Sequence, residues 1–254
     1  MRGIPRRAPG GEAETAPLIQ NEDYDRYIKN ASLADRQNFV RKVYAILSIQ
    51  LLVTVAIAAP IQTLNHFEVD RLRPLFWVSV AMSFVQILMM SCCRDMMRKF
   101  PINYIMLLGF TGFEGIIVGF LSAQYIWQSV ILAAGITVLI FLALTAYAFF
   151  ATTDFTGMGI YLVAGISTLC CFGFVLMILG FCGVHVVWLM MLYNIIGICV
   201  FVFAVIFDTQ MIMGEWGGHE QQFSVDDYIH AALALYLDLI NLFLHILRLL
   251  GDRK

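Results

Sequence analysis

Charge is what this sequence has least of. Only 13% of its 254 residues are Asp, Glu, Lys or Arg, about half the share of an ordinary soluble domain. Phe155–Phe207 holds no charged residue, and Phe100–Thr153 holds one, Glu114. With 60% apolar residues, a soluble globule could not hide its greasy surface, which excludes a cytosolic enzyme. Disorder, collagen and coiled coil are excluded too, because each needs a polar or strictly periodic composition. A net charge of −2 gives no reason to expect a nucleic-acid partner. The six cysteines include two adjacent pairs, Cys92-Cys93 and Cys170-Cys171, which build no disulfide framework. Neither Cys-x-x-Cys nor His-Glu-x-x-His occurs, so no zinc or other cofactor is expected. The N-terminus lacks the basic-then-apolar pattern of a signal peptide.

What is present is a series of long, continuous apolar runs. About 20 such residues cross the ~30 Å hydrocarbon core as a helix. Barrel strands would alternate, and these do not. The expectation is an all-α polytopic membrane protein with seven spans: about Val43–Leu64 (interrupted by Pro60), Leu75–Cys93, Ile102–Ser122, Gln128–Phe150, Met158–Gly180, His185–Met213 and Ile229–Leu250. Residues 1–38, polar and carrying Pro5, Pro9, Gly10, Gly11 and Pro17, read as a flexible tail. Residues 39–254 form the membrane domain.

Basic residues orient the bundle. Eight precede the first span (Arg2, Arg6, Arg7, Arg26, Lys29, Arg36, Arg41, Lys42), and three lie between the second and third (Arg94, Arg98, Lys99). This predicts a cytoplasmic N-terminus. Seven crossings then put Arg248, Arg253 and Lys254 outside, against the rule. The last segment either crosses against it or is re-entrant; composition leaves both open. A glycan on Asn30, in the sole sequon Asn30-Ala31-Ser32, would overturn the orientation.

Three acids fall inside spans: Glu114, Asp208 and Asp238. Charge at membrane depth is costly and marks function by default, although an isolated protonated acid such as Glu114 also serves packing alone. At ~100° per residue, Ala231, Ala234, Asp238, Asn241, His245 and Arg248 form one small-and-polar stripe on the last span. Packing explains the alanines but not the rest. If the last two spans form a hairpin, Asp208 lies ~8 Å and Asp238 ~13 Å from their connection, so the carboxyl groups can meet. Two carboxylates in low dielectric do not both ionise easily and share a proton. Protonated, such a pair is a closed link; deprotonated, it repels itself and offers oxygens to a hard cation such as calcium. His245 and Arg248 are candidates to bias that equilibrium.

These residues carry a resemblance. Arg41-Lys42-Val43-Tyr44, Gln50-Leu51-Leu52, Leu144-Thr145-Ala146-Tyr147, Thr153-Asp154-Phe155-Thr156, Phe207-Asp208-Thr209-Gln210 and Leu235–Leu244 (LYLDLINLFL) resemble the Bax-inhibitor/lifeguard family of membrane proteins, most closely its lifeguard branch. The resemblance covers the chain from about Arg41 onward. It implies a seven-helix fold with the last helix central. It also implies a pH-sensitive calcium leak through an intracellular membrane of the ER or Golgi, or through the plasma membrane. That leak would lower stored calcium and protect against apoptosis. Its partners would be lipid, calcium, protons and death-pathway or calcium-channel proteins. The family's aspartate pair carries over onto Asp208 and Asp238. A basic latch seen in bacterial relatives would fall among Arg94, Arg98 and Lys99, and the spacing does not choose between them.

Two rival readings follow from the same residues. Paired intramembrane aspartates also describe an aspartyl protease, but those enzymes carry Gly-x-Gly-Asp where this chain has Tyr236-Leu237-Asp238, so no enzyme is expected. A non-conducting interaction protein is compatible with every feature above.

Overall fold

A computed structural model describes residues 33–64, 66–92, 99–151, 153–184, 186–214, 222–224 and 226–254. Residues 1–32 of the expected tail, the Asn30 sequon, Cys93, Arg94 and Arg98 lie outside these residues, and residues 33–38 of that tail are helix instead. Among them the fold is all-helical: α1 Leu33–Gln62, a short α2 His66–Arg71, α3 Arg73–Cys92, α4 Ile102–Ser122, α5 Trp127–Phe150, α6 Gly159–Phe181, α7 Val187–Met213 and α8 Tyr228–Leu250. Seven of them, all but α2, are long and apolar enough to cross a membrane.

α1 starts ten residues ahead of the apolar run. Phe39, Val43, Ile46 and Leu47 are all buried, which is helical spacing. A mean-composition reading sees only the charges between them. Asp35 sits in the first turn, where the amide dipole favours an acid. The helix continues through Pro60 and stops two residues later, so the proline marks its end rather than a break.

Outward surfaces are greasy. Leu139 (69% exposed), Ile160 (76%) and Phe174 (59%) point away from the bundle. Continuous patches of this kind are not carried by water-soluble monomers. The described cysteines (Cys92, Cys170, Cys171, Cys182, Cys199) are free and lie on that same perimeter.

α8 packs against α1, α4, α5 and α7, and its Ala231, Leu235, Tyr236 and Leu242 are fully buried. It is therefore the central helix, and its Leu233, Leu235, Leu239, Leu242, Leu244 and Leu247 face other helices rather than lipid. It also crosses completely. At its first turn, Tyr228 lies 6.5 Å from the Tyr104 ring and under Lys42 Nζ at 5.3 Å, beside the starts of α1 and α4. Past its last turn, Lys254 Nζ donates to Gln62 O (2.9 Å), and Ile126 N donates to Asp252 O (3.0 Å). These contacts lie at the far ends of α1 and α4. The re-entrant alternative is thus resolved in favour of a seventh crossing. The face holding the start of α8 is called near and the opposite face far. The described tryptophans, Trp77, Trp127 and Trp188, are exposed at the far ends of α3, α5 and α7, as an interfacial aromatic belt requires.

Two close approaches hold the centre. Gly115 and Gly119 of α4 face α1, where an added Cβ would come to 3.1 Å from Ile57 Cβ and to 2.9 Å from Ile61 Cβ. This Gly-x-x-x-Gly spacing lets helix backbones meet without a water-driven term. Gly197 of α7 gives up its side-chain space to the His245 ring of α8.

Candidate functional site

Asp208 is five residues from the near end of α7. Asp238 is ten residues into α8, ~15 Å along it. Both are buried, at 9% and 7% exposure, and their carboxyl groups lie within hydrogen-bonding reach of one another. Oδ2 of Asp238 meets no other donor among the described residues. No Lys or Arg among those residues neutralises Asp208. As a metal site the pair is incomplete. Calcium takes six to eight oxygens, and the described residues hold no cluster of three His, Cys, Asp or Glu side chains.

The polar stripe of α8 faces α7 but is not one continuous site. His245, seven residues or ~10 Å beyond Asp238, is buried and engages Asn194 Oδ1 through Nδ1 at 3.1 Å. Asn194 spends its own amide on Met190 O (2.9 Å), so the hydrogen lies on His245 Nδ1. Asn241 donates to Leu237 O within its helix (2.8 Å). Arg248 is exposed on the last turn, ~15 Å from Asp238 along the axis. None of the three touches the aspartates. Lys99 is exposed on the near face and pairs with neither of them. Glu114 stands apart, on α4 beside Ser83 of α3.

Sequence reasoning missed a second set of neighbours. The Tyr44 hydroxyl of α1 lies against the hydroxyls of Thr145 on α5 and Thr209 on α7, and none of the three closes a hydrogen bond among the described residues. One residue on, Gln210 Oε1 accepts from Phe155 N (2.8 Å) and its Nε2 donates to Thr153 O (3.0 Å). Asp154 Oδ1 accepts from Thr156 N and Oγ1 (2.9 and 2.7 Å). Motif segments far apart in the chain thus converge at the near ends of α5 and α7. The available signal was that each segment places a hydroxyl or amide near the same end of its span.

The fold and this buried acid pair define a polytopic α-helical membrane protein with a polar centre. Residues 36–254 match the family described as "Inhibitor of apoptosis-promoting Bax1". The chain is 37% identical to human Protein lifeguard 3 over 223 residues, covering 86% of this chain and 70% of that protein. It is 33% identical to the mouse protein of the same name (86% and 70%) and 33% identical to Protein LIFEGUARD 2 of Arabidopsis thaliana (85% and 87%). The chain belongs to the Bax-inhibitor/lifeguard family.

Proposed function

We propose that this protein is a pH-sensitive calcium leak of an intracellular membrane, gated by Asp208 and Asp238, that lowers stored calcium and restrains apoptosis. What supports this reading is the juxtaposition of two buried carboxyl groups where α7 meets the central helix. With one proton between them, they form a charge-assisted hydrogen bond that ties α7 to α8. Such a bond contributes about 1.5–3 kcal/mol, so its loss shifts a closed-to-open ratio by about one to two orders of magnitude. Loss of that proton leaves two repelling carboxylates and frees oxygens for calcium. In this reading the Tyr44, Thr145 and Thr209 hydroxyls, which lie together, extend the ion's path toward the near face. That face is cytoplasmic in this reading, and death-pathway or calcium-channel proteins are its partners there.

The test is calcium efflux from liposomes containing the purified protein, measured against pH. Asp208→Asn and Asp238→Asn are expected to flatten the pH profile. A wild-type profile in both variants would sink the gating assignment, and absence of flux at every pH would favour a non-conducting interaction role.

A further inference from the structure

On the side of α8 away from Asp238 lies a second polar seam, between α3 and α4. Tyr236, two residues and ~200° from Asp238, points to α1 and α4, meeting Thr54 Oγ1 at 2.8 Å and the Phe110 ring at 6.4 Å. Beyond it Glu114 of α4, partly buried, lies beside Ser83 of α3. Ser83 is 4% exposed, and its hydroxyl has no partner among the described residues. Ser79 and Gln86 share that stripe of α3 at helical spacing. Ser79 is fully buried, and Gln86 Oε1 is buried without a partner among the described residues. No cation faces Glu114; the titratable group nearest it from α8 is Tyr236.

A cavity of about 480 Å³ opens at the far ends of α3 and α4, lined by Asp70, Arg73, Phe76, Phe120 and Gln124 among others. Phe76 and Phe120 both line it, and their rings meet at 5.7 Å between centroids. Phe120 is six residues, ~9 Å, from Glu114.

We propose that Glu114 and Ser83 bind a singly charged alkali-metal cation, which enters from the far-face cavity past Phe76 and Phe120. One carboxylate among neutral oxygens carries a charge of −1. A singly charged ion cancels it, whereas a divalent ion would leave uncompensated charge at membrane depth, where it is costly. The site is separated from the aspartate pair by the body of α8 and does not depend on the role of that pair.

The probe is N,N′-dicyclohexylcarbodiimide, which couples to carboxyl groups in apolar surroundings, with the adduct located by mass spectrometry on the full-length protein in nanodiscs. In choline buffer Glu114 is expected to be labelled, and Glu114→Gln to lose that adduct. At the same pH and ionic strength, sodium or potassium is expected to slow labelling several-fold. Ser83→Ala should raise the half-protecting concentration about tenfold, as loss of one ligand predicts, and Ser83→Thr should retain protection. Asp208→Asn should leave both labelling and protection unchanged, which separates this site from the calcium reading. Equal labelling in sodium, potassium and choline overturns the proposal, as does the absence of any Glu114 adduct in choline.

Discussion

Tyr236 of the central helix donates its phenol hydrogen to Thr54 Oγ1 of α1. The oxygens are 2.8 Å apart, and Thr54 spends its own hydrogen on Gln50 O, also at 2.8 Å. Both residues are buried. The chain of donors continues beside them, where Gln50 Nε2 reaches Thr111 Oγ1 of α4 (3.1 Å). Three helices are thus joined at mid-membrane by neutral hydrogen bonds. Tyr236→Phe should destabilise the folded protein by about 0.5–1.5 kcal/mol, at the lower end if membrane hydrogen bonds behave as usual. Thr54→Val should cost a similar amount, and the double variant should cost less than the sum of the two. A double-mutant cycle of detergent unfolding measures this, and full additivity would refute the bond.

The His245 ring fills the space that a side chain at position 197 would need. Gly197→Ala is therefore expected to destabilise by about 1–3 kcal/mol through overpacking. The same substitution made in a His245→Ala background should cost clearly less, because the obstructing ring is gone. Equal costs in both backgrounds would contradict the packing described.

Gln210 holds the connection between α5 and α6 through both ends of its amide. Gln210→Ala leaves the half-buried Phe155 N–H without its acceptor, a loss of about 0.5–1.5 kcal/mol. Hydrogen exchange at Phe155 should accelerate while exchange in the middle of α8 stays slow. Unchanged protection at Phe155 would show that the amide clamp is dispensable.

The aspartate pair separates two kinds of substitution. Asp208→Asn or Asp238→Asn keeps a donor facing an acceptor at every pH, so calcium flux should stay low and lose its pH dependence. Asp208→Ala removes the link, so flux should be high and equally flat. If both substitutions shift flux in the same direction, the pair does not act as a closing link.

Because α8 crosses completely, the start of α1 and the residues that follow α8 lie on opposite faces. Epitope tags at the N- and C-termini in sealed vesicles should therefore be digested by protease from opposite sides. Digestion of both from one side would contradict the seventh crossing.

Span number and most span ends were legible in the sequence, because a run of apolar residues long enough to cross hydrocarbon has few alternatives in lipid. α4 begins and ends where its apolar run does. The start of α1 was not legible, since Phe39 and Val43 are buried by packing that composition does not encode. His245 was a candidate to bias the aspartate pair because it shares the stripe of Asp238, but a stripe fixes direction around a helix and not depth along it. The structure instead gives it Asn194 as a partner.

By itself, then, the sequence determined that this is a helical membrane protein with acids at Glu114, Asp208 and Asp238, since membrane class and the cost of buried charge depend on local composition. Which acids meet, which stand alone and whether the last helix crosses depended on contacts between helices remote in the chain. Those are set by where glycine permits close approach and by which polar groups find partners. Only the tertiary structure could decide that Asp208 and Asp238 share one side of α8 while Glu114 lies on the other.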